Sequence, residues 1–187
     1  MQWILLGPPG SGKGTQAKKL AAAHNVAHLS TGDVLRNEIA KDSDLGKDAK
    51  AYMERGDLVP DELILKMIHE HLPSESDGNG FLLDGFPRTE KQAQALDEML
   101  KNDGRAIDRA VLVDVSDDEI KKRLEGRAKA EGRTDDTSDV IEQRLNVYRQ
   151  QTVPVANHYE RQGLLTKVNG EQSIDDVYND LEKLLTA

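Results

Sequence analysis

One glycine-rich segment near the start constrains this chain more than any other. Gly7-Pro8-Pro9-Gly10-Ser11-Gly12-Lys13-Gly14-Thr15 follows the apolar run Gln2-Trp3-Ile4-Leu5-Leu6 and opens a helical pattern. Glycines at this density let successive backbone N–H groups turn inward around an anion without Cβ clashes. A helix that starts directly after the loop adds the positive end of its dipole, and Lys13 adds a full charge. A tight strand-to-helix turn that binds nothing is the plain alternative. Lysine at this place, in a strand–loop–helix setting, favours phosphate binding. Ser or Thr usually follows that lysine directly. Here Gly14 intervenes before Thr15, so no hydroxyl directly follows the lysine to contact magnesium.

The rest of the chain alternates short apolar runs with helical periodicity. Residues 2–6, 27–30, 81–84, 110–115 and 164–168 read as strands. The first, third and fourth are nearly continuous apolar runs, as strands covered on both faces require. Helical patterns fill 13–25, 61–72, 89–102, 117–127, 139–161 and 174–186, with Thr89, Ser116, Ser138 and Ser173 at N-cap positions. This predicts an α/β fold: a five-stranded parallel sheet with right-handed crossovers, flanked by helices. Two stretches break the alternation. Residues 31–60 hold two helical segments and no strand, and 126–137 is polar with Gly132 inside it. They divide the chain into a core of 1–29, 60–125 and 137–187, a lobe of 30–59, and a short lid of 126–136, both lobes free to move. Residues 73–80 read as a connector.

Charge and composition narrow the partners. A formal net charge of -9 argues against a nucleic-acid polymer, which needs a broad basic face. A few arginines can still make a local pocket for a small phosphorylated ligand. The chain has no cysteine, so disulfides and thiolate zinc sites are excluded. No apolar stretch approaches the roughly 18 residues of a membrane span, and the start lacks a signal-peptide pattern. A cytoplasmic chain, mature from Met1, is the expectation.

The arginines form the second signal. On the helix at 139–161, Val140, Ile141, Leu145 and Tyr148 make one stripe, and Arg144 falls inside it. A charge in an apolar stripe must snorkel, pair or bind an anion. On the preceding helix Ile120 and Leu124 mark the buried side; Arg123 and Arg127 lie on one flank while Lys121 and Lys122 point outward. Each arginine alone can be a surface ion pair; the set reads better as converging on one cleft. Asp84 ends an apolar strand, either as a turn carboxylate or as one that orients magnesium, here through water because of Gly14. Thr31 stands where a pocket opens at a strand end, as an N-cap, a ligand contact, or both.

Four segments, in order and spacing, resemble the nucleoside monophosphate kinases: the loop above, Ser30-Thr31-Gly32-Asp33-Val34-Leu35-Arg36, Asp84-Gly85-Phe86-Pro87-Arg88 and Gly132-Arg133-Thr134-Asp135-Asp136. The resemblance covers essentially the whole chain. Within the family it is strongest to the adenylate kinases of the short-lid type. It implies a P-loop NTPase-type core and transfer of the γ-phosphoryl of MgATP to AMP, giving two ADP, by a monomer. It also implies roles. Gly10, Ser11, Gly12, Lys13, Gly14 and Thr15 hold ATP. Arg123 and Arg127 bind ATP at the base of the lid, and Gln172 marks a backbone contact to its adenine. Arg36 and Arg88 bind the AMP phosphate over a floor of Gly85, Phe86 and Pro87, and Arg133 with Arg144 grips AMP and the transferring group. Thr31 and Gln92 face the AMP adenine; pyrimidine-specific relatives usually carry alanine and asparagine there. Asp57, Leu58 and Val59 resemble the segment that closes over the base, although Leu58 and Val59 can equally be core.

The remaining candidates are weaker. His69 and His71 diverge on a helix, and His24, His28 and His158 lack ligand-like neighbours, so no histidine metal site is expected. Asp135 and Asp136 fit either hinge partners of the lid arginines or solvated charges. The rival functions are a UMP/CMP kinase and, further off, an NTP hydrolase or switch on the same loop.

Overall fold

A computed structural model describes residues 1–73, 80–131 and 137–185. The strands are β1 (Gln2–Leu6), β2 (Ala27–Ser30), β3 (Phe81–Asp84), β4 (Arg109–Asp114) and β5 (Leu165–Asn169). They form one parallel sheet in the order β2-β3-β1-β4-β5. The expected five strands are all present; β4 and β5 are displaced by one residue from the apolar runs that signalled them. Because β1 is central, its C-terminal end lies between those of β3 and β4. In such sheets this is where a ligand crevice opens.

Side-chain alternation along β1 explains the layering. Trp3 and Leu5 join Ala17 and Leu20 of α1 (Lys13–His24) and Val177 and Leu181 of α9 (Ile174–Leu185) on one face. Ile4 and Leu6 face the other side, with Ile64 and Ile68 of α4 (Asp61–His71), Leu96 and Leu100 of α5 (Glu90–Asn102), and Val155 and Tyr159 of α8 (Val153–Arg161). Both faces are therefore covered, as continuous apolar strands demand. A third cluster joins Val113 and Val115 to Ile120 and Leu124 of α6 (Asp117–Glu131) and Ile141 and Leu145 of α7 (Ser138–Val147). The 30–59 stretch forms α2 (Thr31–Ala40) and α3 (Asp44–Arg55), packed on each other. Among the described residues no helix is long and apolar enough to cross a membrane.

Several boundaries differ from the sequence reading. Helix α6 runs to Glu131, so half of the expected lid is the end of a helix. Ser30 caps α2, its hydroxyl accepting from the Asp33 N–H at 3.3 Å, and Thr31 is the first helical residue. Thr137, not Ser138, occupies the N-cap of α7. The single helix expected over 139–161 is interrupted by a π-turn, Tyr148–Thr152. Pro154 supplies the cause: it has no N–H for the carbonyl of Gln150 and its ring crowds that carbonyl, so the backbone widens by one residue.

Candidate active site

The phosphate loop presents the N-terminus of α1 to the cleft. Gly12 precedes α1 with no side-chain cap, and the first turn of α1 has no acidic residue. The N–H groups of that first turn and the dipole of α1 thus meet at the loop with no acidic residue on the helix itself. Gly10 sits at φ +83, and a Cβ there would lie 2.8 Å from Leu124 Cγ, so the loop presses directly on α6. Lys13 folds over the mouth: its Nζ donates to the carbonyls of Gly7 (2.8 Å) and Pro8 (2.7 Å) and to Ser11 Oγ (3.2 Å). The side chain stays partly open to the cleft while its ammonium is enclosed. Burial lowers its pKa to about 8; Asp84 opposes that shift, and the positive charges of Arg88, Arg144 and Arg127 reinforce it.

That electrostatic coupling is the structural form of the arginine argument. A cleft of about 480 Å³ runs along the C-terminal edge of the sheet and is lined by Gly10, Gly12, Lys13, Gly14, Thr15, Arg36, Leu58, Asp84, Gly85, Pro87, Arg88, Arg123, Arg127 and Arg144. Five arginines from α2, α6, α7 and the segment after β3 thus reach one cavity. Ile120 and Leu124 are fully buried, and Lys121 and Lys122 point to solvent, as the helical phase predicts. Arg144 lies half-buried between Val140 and Tyr148, its stem against Gly56. Arg36 pairs with Asp33 at 2.6 Å, and Arg123 with Glu119 at 2.8 Å. Both partners are partly exposed, and a phosphate can compete for either guanidinium.

A smaller pocket opens beside the cleft, lined by Thr31, Arg36, Asp57, Leu58, Val59, Gly85, Arg88, Gln92 and Arg144, among others. Thr31 Oγ1 donates to the Gly85 carbonyl at 2.8 Å, and the Arg88 Nε donates to the same carbonyl at 2.7 Å. Gly85 has φ +78, and a Cβ there would stand 2.9 Å from Thr31 Oγ1, so only glycine lets β3 turn this tightly beside the pocket. Asp57 is tied to Arg55 (3.0 Å) and to Gln143 of α7 (2.9 Å), bonds that lower its pKa. Val59 both lines the pocket and belongs to the core.

One carboxylate stands beside the loop. Asp84 Oδ2 lies 3.3 Å from the place a Cβ on residue 14 would occupy, so Gly14 leaves it room at the loop. Among the described residues no three metal-ligating side chains cluster. This donor set fits a cation carried mainly by substrate phosphates and water. His28 Nε2 lies 4.0 Å from Asp84 Oδ2. That nitrogen is buried without a hydrogen bond, and burial lowers the imidazole pKa.

Other expected residues sit differently. Phe86, expected in the binding floor, is instead fully buried in the core and lines neither cavity. Ser11 is buried beneath Lys13. The Gln172 side chain is held by the Asn169 carbonyl (3.0 Å) and Asp180 (2.9 Å), outside both cavities. Arg133, with Asp135 and Asp136, lies outside the described residues. The sequence reading missed Lys18, Tyr148 and Thr152, which also line the cleft. Thr152 Oγ1 donates to the Arg88 carbonyl at 2.9 Å, and the π-turn aims it there. Pro154 inside an otherwise helical pattern was the available signal.

Comparison with known proteins agrees with this geometry. The profile of the adenylate kinase family matches residues 5–164. A protein named adenylate kinase from Xanthomonas euvesicatoria pv. vesicatoria (strain 85-10) is 47% identical over 185 residues, covering 99% of each chain. One of the same name from Stenotrophomonas maltophilia (strain R551-3) is 46% identical over 177 residues, covering 95% of each. With a phosphate loop, five arginines and a second pocket at the edge of one parallel sheet, and with matches spanning almost its full length, the chain belongs to the adenylate kinase family.

Proposed function

We propose the following division of labour for the reaction this chain carries out as an adenylate kinase: reversible transfer of the γ-phosphoryl of ATP to AMP, giving two ADP. The observation that carries it is the electrostatic meeting of Arg88, Arg127 and Arg144 on Lys13 in one cleft. Two polyphosphates can approach only where their repulsion is screened, and guanidinium groups do this bidentately without losing charge. ATP phosphates lie on the Gly10–Thr15 loop, with Lys13 released from the Gly7 and Pro8 carbonyls to reach them. Arg123 and Arg127 hold the ATP side, and the segment at Gln172 meets its adenine. AMP occupies the smaller pocket, its phosphate between Arg36 and Arg88 and its base against Thr31, Gln92 and the Asp57–Val59 segment. Arg144, which lines both cavities, acts with Arg133 on the group in transit.

Asp84 with Thr15 would hold the water shell of a Mg²⁺ carried by ATP, an ion that would neutralise charge on the terminal phosphates. The acceptor is already an anion, so no side chain needs to remove a proton. The residues supply positioning and charge stabilisation. Water is kept out when the 30–59 and 126–136 lobes close. The reading extends to a monomer, since two closing lobes need free space around them, and to a cytoplasmic location.

Arg88→Ala tests the assignment. Turnover should fall by on the order of 100-fold or more, with the thermal transition retained. Near-normal turnover would overturn it.

A further inference from the structure

The pocket assigned to the AMP base contains a polar constraint that does not touch the base itself. Gln92 is 2% exposed. Its Nε2 donates to Asp61 Oδ1 at 2.7 Å, and its Oε1 accepts the Arg88 backbone N–H at 2.7 Å. An amide offers two donor hydrogens and two acceptor lone pairs, so one of each is spent here and one of each remains. A backbone N–H can only donate and an ionised carboxylate can only accept. Turning the amide over would set donor against donor and acceptor against acceptor. Thr89 Oγ1 holds the same carboxylate, at 3.3 and 3.4 Å to its two oxygens.

Thr31 is fixed in the same way. Its hydroxyl lies 2.8 Å from the Gly85 carbonyl, which can only accept. The hydroxyl proton is therefore spent there, and Thr31 shows the pocket lone pairs alone. Both buried polar side chains of this pocket thus have a set hydrogen-bonding sense, although an unrestrained amide or hydroxyl would adapt to either.

We propose that Asp61 is a positioning residue for base selection: by fixing the Gln92 amide, it makes the pocket choose a 6-amino purine over a 6-oxo purine. The proposal rests on the reading that Gln92 and Thr31 face the base. Adenine presents an N–H donor at position 6 and an acceptor at N1. Hypoxanthine presents the reverse, with the same ring and nearly the same shape. The Thr31 lone pairs suit the amino group and oppose a 6-oxo oxygen. With its amide locked, Gln92 cannot turn over to accommodate the reversed pattern. Misdirected buried polar groups discriminate far more strongly than a small difference in shape. Asp61 is at the start of α4, 31 residues before Gln92, and outside the pocket lining, so it reaches the base through the Gln92 amide and not by contact.

The test is the ratio of kcat/KM for AMP to that for IMP, with ATP as donor, in wild type, Asp61→Ala, Asp61→Asn and Gln92→Ala. Asp61→Ala removes the acceptor and should lower the AMP:IMP ratio by about tenfold or more. Asp61→Asn can turn its own carbonyl toward Gln92 and should keep most of the ratio. An Asp61→Ala protein that loses AMP and IMP activity in equal proportion overturns the proposal, because a structural role predicts that result. So does an unchanged ratio in Asp61→Ala when Gln92→Ala collapses it; the base reading would then survive without the clamp. An unchanged ratio in Gln92→Ala would remove the base reading, and the proposal with it.

Discussion

Lys13 offers a quantitative probe of the cleft. Burial, helped by Arg88, Arg144 and Arg127 and resisted by Asp84, brings its pKa to about 8 in the nucleotide-free protein. Phosphate oxygens beside the ammonium favour its charged form and raise that pKa again. ATP binding must therefore take up a proton wherever the free protein has lost one. With a free-state value of about 8, uptake is about 0.1 proton per site at pH 7, about 0.5 at pH 8 and about 0.9 at pH 9. Calorimetric titration with ATP in buffers of different ionisation enthalpy reads this number from the slope of observed heat against buffer heat. Measurements at pH 8 and 9 avoid the titration of ATP itself, and Lys13→Met provides the baseline. Arg88→Ala should reduce uptake at pH 8, because one charge repelling the ammonium is gone. Uptake at pH 8 that is absent in wild type, or identical in wild type and Lys13→Met, would refute the reasoning.

The same lysine sets a stability trend. The unfolded chain binds more protons than the folded one between pH about 8 and the ordinary lysine value of 10.5, so unfolding free energy from urea titration should rise with pH through that window because of this group. That rise should vanish in Lys13→Met. Gly10→Ala forces φ +83 on a residue with a Cβ, costing ~1–2 kcal/mol. It also drives that Cβ into the fully buried Leu124, costing about 1–3 kcal/mol more. The melting temperature should fall by roughly 4–20 °C, and a change within experimental error would contradict the close loop–α6 contact. Thr152→Val removes the hydroxyl that donates to the Arg88 carbonyl and should cost about 1 kcal/mol in denaturant unfolding, with a lower kcat because Arg88 is less firmly placed. Gln143→Ala removes the tie between α7 and Asp57 and should raise the KM for AMP while leaving the KM for ATP unchanged; equal shifts in both would point to general loosening.

Parts of this architecture were legible because their physics is local. The strand–loop–helix at Gly7–Thr15 announces itself by residue type, and apolar continuity marked Phe81–Asp84 to the residue. Helical phase was enough to separate Arg123 and Arg127 from Lys121 and Lys122. Elsewhere, local signals compete. Ser30 and Thr31 are both good caps, and only backbone geometry decides that Ser30 caps while Thr31 bonds to Gly85. Ser138 lost its cap position to its neighbour Thr137 for the same reason. Pro154 stood inside the pattern read as one helix over 139–161, and the sequence reading drew nothing from it; the π-turn that aims Thr152 at Arg88 follows from it. The Asp61–Gln92 and Asp57–Gln143 bonds join residues 31 and 86 positions apart and leave no periodic trace. His28 looked isolated because the residue it approaches, Asp84, comes from a different strand.

The central claim is that this cleft brings ATP and AMP together for phosphoryl transfer. The protein incubated with MgATP and, separately, AMP, CMP, UMP or GMP, with diphosphate formation followed, tests it most directly. Rapid ADP formation with AMP, and slow or no diphosphate with the others, is the predicted result. Faster transfer to UMP or CMP, or phosphate release from ATP without any acceptor, would contradict it.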